Sequence, residues 1–191
     1  MAHVSIIGTG NMGQPISTLV TKGGNTVEVF NTSDADKPVS GDIVVLAVPY
    51  PAVADLIAKR GDQLAGKIVV DITNPLNVQT FDDLAVPADS SAAAEIAAAL
   101  PDARVLKAFN TNFAGTLAAG TVGGLPTTVL IAGDDADAKA LLIGVVSAGG
   151  LRAIDVGGLK RARELEALGF LQITLAAAER ISWTGGFAVV S

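Results

Sequence analysis

Three glycines, Gly8, Gly10 and Gly13, stand at G-x-G-x-x-G spacing directly after the apolar run Val4-Ser5-Ile6-Ile7. The chemistry served by that spacing is the holding of a dinucleotide pyrophosphate. One glycine makes the sharp strand-to-helix turn, one lets the backbone approach the phosphates, and one lets the helix pack close to the strand. Gly8, Thr9, Gly10, Asn11, Met12 and Gly13 are therefore candidate cofactor-binding residues. The helix that follows aims its free N–H groups and positive dipole end at the anion. A glycine turn with no ligand is the bland alternative. The strand before the turn, and Ile16, Leu19 and Val20 at helical spacing after it, favour the dinucleotide.

The choice of nucleotide falls to the end of the second strand, where an NAD site usually carries Asp or Glu for the ribose hydroxyls. That place, eighteen residues beyond Gly13, holds Asn31, followed by Thr32 and Ser33. No carboxylate there repels a 2′-phosphate, and an amide with two hydroxyls can donate to one, so the reading is NADP(H). Glu28 lies mid-strand, too early for the ribose role. No arginine is near in sequence, and Lys37 is the closest cation. The same three residues would equally suit an ordinary turn.

Asn74 and Asn110 each follow a strand at the ligand end, where an amide both donates and accepts, and Thr111, Asn112, Phe113 and Ala114 would line the acceptor side. No residue is assigned as catalytic. Direct hydride transfer between two redox cofactors needs stacking and distance more than proton chemistry, whereas a simple carbonyl would call for a proton donor. Lys107 sits inside a strand and reads as structural ahead of any donor role. His3, the only histidine, lies at the opposite end of the first strand and reads as structural. Lys160, Arg161 and Arg163 open the last helix and either face an anionic substrate or remain solvated. Asp82-Asp83 and Asp134-Asp135-Asp137 read as a solvated loop pair and a helix cap. There is no Ser-His-Asp set and no cluster with metal-ligand spacing, so no metal is expected.

The elements that must position these residues alternate. Strands are expected at Val4 to Ile7, Val27 to Phe30, Ile43 to Val48, Lys67 to Asp71, Val105 to Phe109, Thr127 to Ala132 and Leu151 to Val156. Helices are expected at Met12 to Lys22, Pro51 to Lys59, Ser91 to Leu100, Ala114 to Ala119, Asp135 to Ser147 and Leu159 to Ile181, with a short strand at Phe187 to Val190. Strands with helices between them argue for an α/β, Rossmann-type, doubly wound, mostly parallel sheet. Only ten residues, Thr32 to Gly41, separate Asn31 from Asp42. A crossover needs a dozen or more, so one helix and one strand of the first half are expected to be missing or vestigial. Ligands bind beyond the C-terminal strand ends, which adds Ala47, Val48, Pro49, Asn74 and Pro75 to the candidate cofactor-binding residues.

The totals agree. The 191 residues are 50% hydrophobic but only 4% aromatic, so Ala, Val, Leu and Ile must build the core. A net charge of −6 argues against nucleic acid and anionic membranes as partners. The lack of cysteine excludes disulfides and thiolate chemistry and suits a cytoplasmic protein. The organisation expected is a dinucleotide-binding domain over 1–158 and a C-terminal helix and tail over 159–191. From Leu165 the helix is apolar on all faces, which predicts packing on the same domain and on a second subunit, hence a homodimer.

Taken together, Gly8-Thr9-Gly10-Asn11-Met12-Gly13, Val45-Leu46-Ala47-Val48-Pro49, Asp71-Ile72-Thr73-Asn74-Pro75 and Lys107-Ala108-Phe109-Asn110-Thr111 resemble the NADP oxidoreductases dependent on the deazaflavin coenzyme F420. Arg161 to Glu166 and Trp183 to Phe187 are similar to that family too. The resemblance implies that the glycine turn holds the pyrophosphate, the second strand's end meets the 2′-phosphate, and Asn112 to Ala114 approach the deazaflavin ring. It further implies reversible hydride transfer between NADPH and the deazaflavin. The family commonly has an arginine where this chain has Thr32 or Ser33, and the short Asn31 to Asp42 link marks a trimmed subgroup. The expected activity is thus an NADP(H)-dependent oxidoreductase with a deazaflavin or flavin-like co-substrate as its small-molecule redox acceptor. The alternatives are an NADPH-sensing module without turnover and a small-carbonyl reductase using Lys107.

Overall fold

Strands that are apolar along their whole length must be covered on both faces. In β3 (Ile43–Leu46) and β4 (Ile68–Asp71) alternate residues do enter two separate cores. Ile43, Val45, Ile68 and Val70 join a core with α1 (Gly13–Lys22), α4 (Ala114–Ala119) and α5 (Ala136–Ala148). Val44, Leu46 and Val69 join the other, with α2 (Val53–Arg60) and α3 (Ala92–Ala99). The computed structural model describes residues 1–34 and 36–190. Ala35, in the expected Asn31 to Asp42 link, and Ser191, the last residue of the 159–191 segment, lie outside them.

Among the described residues the main sheet has seven strands in the order β2 (Thr26–Phe30), β1 (His3–Ile7), β3, β4, β5 (Arg104–Lys107), β8 (Thr128–Gly133), β9 (Arg152–Gly157). The first five are parallel, which puts the ends of β1 to β5 on one rim. The sheet is Rossmann-like and mostly parallel, as expected. β8 runs antiparallel to β5, and β9 follows it in parallel. The turn into β8 is made by α4 and an unforeseen hairpin, β6 (Thr121–Val122) with β7 (Leu125–Pro126), closed by Gly123 and Gly124 at φ 55° and 83°.

Among the described residues the helix and strand expected to be missing are absent. β2 is an edge strand, and a single 3-10 turn at Thr32–Asp34 begins the link to β3. Side chains pin this link in place. The buried Ser5 hydroxyl accepts from Gly41 N–H at 2.8 Å, Glu28 accepts from Ser40 N–H at 2.8 Å, and Gln63 accepts from Val39 N–H at 2.8 Å.

Two expectations at the C-terminus fail. The last helix starts with a 3-10 turn at Leu159–Arg161 and its α-helical part, α6 (Ala162–Ala177), stops short of Ile181. Glu179 takes φ 56° there and breaks the helix. Phe187 to Val190 forms no strand, because its backbone meets side chains and not a sheet edge: Phe187 N–H donates to Gln172 Oε1 at 3.0 Å. Within this chain α6 buries one stripe and not all its faces. Ala162, Leu165, Glu166, Gly169, Gln172 and Ala176 face inward, while Leu171 is 50% exposed.

Candidate active site

The glycine turn lies where β1, β2 and β3 end. Gly8 has φ 125°, and a Cβ there would fall 2.0 Å from Ala47 O. A Cβ on Gly13 would fall 2.2 Å from Gly8 O. Nothing crowds Gly10, whose missing side chain leaves open space in front of the turn. Among the described residues the N–H groups of Gly10, Asn11 and Met12 donate to no protein acceptor. Unspent donors at a helix N-terminus, with room for a ligand beside Gly10, fit a bound pyrophosphate.

On one side of the turn a cavity of about 390 Å³ is lined by Gly8, Thr9, Asn31 and Thr32 and closed by Lys59 and Arg60 at the end of α2. Asn31 Oδ1 accepts from Ser33 N–H at 2.7 Å and from Ser33 Oγ at 2.5 Å, so this stretch is a turn held by its own side chains. Ser33 does not line the cavity. Lys37, the nearest cation in sequence, is engaged with Asp34 at 2.6 Å and does not line it either.

On the other side, a cavity of about 430 Å³ brings together Asn11, Met12, Asn74, Asn110, Asn112, Phe113 and Ala114 with Trp183. Phe109, just past β5, is held at φ 61°, a strained value for a non-glycine residue. That kink carries Asn110 against Asn74. Asn74 Nδ2 donates to Asn110 O at 2.8 Å, and Asn110 Nδ2 donates to Asn74 Oδ1 at 2.9 Å and to Leu165 O at 2.8 Å. Gly169 of α6 makes room for the pair, since a Cβ there would sit 2.3 Å from Asn74 Oδ1. Asn112 Nδ2 donates to Thr128 O at 3.0 Å. Among the described residues the buried Oδ1 atoms of Asn110 and Asn112 have no hydrogen-bond partner. Phe113 packs on Trp183 with ring centroids 5.0 Å apart. Among the described residues no titratable side chain lines this cavity.

A further cavity of about 360 Å³ joins Ala47, Val48, Pro49 and Tyr50 to Asn74 across the rim. The Tyr50 hydroxyl donates to Glu95 at 2.5 Å. Burial, reinforced by that carboxylate, pushes the phenol well above its ordinary value, so it stays neutral and donor-bearing.

Behind the asparagine pair lies a charge cluster that the sequence hid. The Lys107 ammonium is fully buried and bonds Asp71 Oδ2 at 2.7 Å, Thr73 O at 2.6 Å and Glu166 Oε1 at 2.8 Å. All three donors are spent, which leaves none for a carbonyl substrate. Glu166 reaches from α6 to accept the N–H groups of Ala92 and Ala93 at the start of α3. Burial raises its carboxyl above the ordinary glutamate value, with Lys107 opposing. The cluster thus ties β4, β5, α3 and α6 together beneath the rim.

The fold accordingly gathers most of the sequence-nominated residues on one rim. Exceptions are Gly13, which packs against Gly8 O beneath the turn, and Ser33, Pro75 and Thr111; the four line none of these cavities. Pro75 and Thr111 are buried and use their carbonyls structurally, toward Ala85 N–H and Gln172 Nε2. His3 sits at the far end of β1, bonded to Thr26 and Ser40. Among the described residues no group of side chains could hold a metal ion. Sequence reasoning missed Lys59, Arg60, Tyr50, Asp71 and Glu166. The pair of basic residues closing the α2 pattern was the available signal for the first two.

Residues 28–75 match the model of the family described as NADP oxidoreductase, coenzyme F420-dependent. The F420-dependent NADP reductase of Methanocaldococcus jannaschii is 31% identical over 156 residues, covering 80% of this chain and 70% of that protein. Metalloreductase STEAP3 of Rattus norvegicus is 29% identical over 180 residues, covering 86% of this chain but 36% of that protein. A crystal structure from Arthrobacter sp. FB24, provisionally assigned as an F420-dependent NADP reductase, superposes with TM-score 0.87 at 25% identity over 100% of both chains.

Proposed function

Since this chain belongs to the family of coenzyme F420-dependent NADP oxidoreductases, we propose that it transfers hydride between the nicotinamide of NADP(H) and a deazaflavin or flavin-like acceptor. The observation that carries this reading is the cavity at Asn74, Asn110, Asn112 and Phe113, which adjoins the glycine turn and is lined by amides and aromatic rings but by no acid or base. Hydride donation is chemistry that the bound cofactor supplies. The protein's share is to hold, orient and exclude water. Gly10, Asn11 and Met12 offer N–H donors to the pyrophosphate. Asn110 and Asn112 line that cavity with carboxamides fixed by bonds to Asn74, Leu165 O and Thr128 O. Phe113 and Trp183 offer an apolar wall against which a flat ring can lie.

A carbonyl reductase acting through Lys107 is disfavoured, because its ammonium is spent on three oxygens and shut off from solvent. The test is oxidation of NADPH with deazaflavin, flavin, quinone and ferric acceptors in parallel. Turnover should appear with the deazaflavin or the flavin. Tight NADPH binding with no turnover across the panel would favour the sensing module.

The same reading includes a homodimer through α6 and the tail. Its support is the outward Leu171 together with Trp183, 55% exposed, and Phe187, 46% exposed, an apolar surface that a second copy could cover. Light scattering at micromolar concentration should give twice the chain mass, falling to the chain mass in Leu171→Glu. A monomer before substitution would overturn it. Among the described residues no helix is long and apolar enough to cross a membrane.

A further inference from the structure

We infer that the 2′-phosphate of the dinucleotide is gripped from α2, by Arg60 and Lys59, in place of an arginine on the link after β2. Arg60 is only 6% exposed, yet among the described residues no carboxylate lies within ion-pair distance of its guanidinium. Its hydrogen-bond partners are two backbone carbonyls on the link, Asp34 O and, at 2.8 Å, Lys37 O. The Asp34 carboxylate is taken by Lys37 at 2.6 Å and by Asn31 N–H at 3.0 Å.

After the Asn31 N–H and Lys37, the Arg60 charge also lowers the Asp34 carboxyl from beyond ion-pair distance, but Asp34 shares that carboxylate with Lys37, and two carbonyl bonds leave part of a five-donor fork unspent. The cavity it closes is the one that begins at Gly8 and Thr9 and runs past Asn31 and Thr32. An anion carried on a ribose at that place would meet Arg60 from below and Lys59 from the α2 side. Phe30 fixes the guanidinium further, with its ring centroid 5.1 Å from the Arg60 carbon. The cavity also contains Asp55, one turn before Lys59 on α2, so its side chains sum to one positive charge. Basic residues also suit the last turn of a helix, but that preference is met by solvated side chains and does not account for the burial of Arg60.

The placement explains how a chain with Asn31, Thr32 and Ser33 at the end of β2 can do without an arginine there. Shortening the β2–β3 link draws it across the end of α2, where Arg60 both satisfies its carbonyls and faces the cavity. The supply of positive charge therefore moves from a loop to a helix.

Calorimetric titration of the full chain tests this with two ligand pairs that differ only by the 2′-phosphate: adenosine 2′,5′-bisphosphate against AMP, and NADP+ against NAD+. The unmodified protein should prefer the phosphorylated member of each pair. Lys59→Gln should lower affinity for the phosphorylated members about tenfold, as for loss of a charge-assisted bond, and change AMP and NAD+ less than about twofold. Arg60→Gln should show the same selectivity, with its melting temperature recorded alongside. Should Arg60→Gln fail to fold, Lys59→Gln decides alone. Lys37→Gln should leave all four affinities unchanged. No preference in the unmodified protein, equal losses within each pair, or a loss confined to Lys37→Gln would each overturn the assignment.

Discussion

Replacing Lys107 with methionine should cost about 3–5 kcal/mol of folding stability, the usual effect of removing one partner from a buried ion pair. Among the described residues the ammonium is the only cation paired with Asp71 and Glu166, and all three side chains are fully buried. Methionine fills the space of the stem but leaves two carboxylates facing each other without water. Denaturant unfolding near neutral pH measures the loss; a change below about 1 kcal/mol would show that the cluster is not held as described.

The pH dependence carries a sign. Glu166 has its carboxyl raised by burial, against the opposing pull of Lys107, so the folded state holds that proton more tightly than the unfolded chain does. Its contribution is therefore favourable at low pH and is lost as pH rises from the ordinary glutamate value through the raised one. Without Lys107 the opposing pull disappears and that loss grows. Lys107→Met should thus recover part of its deficit on acidification, and the double variant with Glu166→Gln should depend less on pH.

Gly8→Ala should reduce NADP(H) affinity by at least about a hundredfold, or prevent folding outright. The added Cβ would fall 2.0 Å from Ala47 O and 2.7 Å from Ala47 C, backbone atoms that cannot swing away. At φ 125° the residue is strained besides. Moving Gly8 clear would separate the turn from the end of β3 and displace the N–H groups of Gly10 to Met12, which donate to no protein acceptor among the described residues. Gly10→Ala is the matched control, because nothing lies within 4 Å of its would-be Cβ in the protein. It should fold normally and lose affinity only through the ligand's own contact. A Gly8→Ala protein that bound as well as the parent would overturn the role given to the turn.

The half of the fold built on β1 to β5 was legible because its signals are local. A glycine turn, continuous apolar strands and a link too short to hold a helix, a strand and a second connection each dictate geometry within a few residues. The reversal at β8 was not legible, since Thr128–Gly133 is apolar whichever way it runs, and the stretch between β5 and β8 is long enough for either connection. Its hairpin did leave a mark in Gly123-Gly124, a two-residue turn signal.

For the site, Asn74 and Asn110 could be nominated as the residues after two strands, but their mutual bonding depends on Phe109 adopting φ 61° and on Gly169 from a distant helix. Arg60 and Glu166 were hidden for the same reason. Each acts on backbone groups more than twenty residues away, and only the closed chain shows which carbonyl or N–H awaits it.

The lost third strand has a consequence for local stability. Among the described residues β2 pairs with β1 alone, so its free energy of opening is expected to lie toward the low end of the range across the sheet. Phe30, Asn31 and the link that Arg60 braces form one wall of the cavity beside the glycine turn. A ligand seated there adds its binding energy to that weakly braced edge before it adds to the rest. Amide exchange along Thr26–Phe30 then becomes a meter of occupancy, quick in the free protein and slowed by the nucleotide, while β3 and β4 in the sheet's interior stay protected in both.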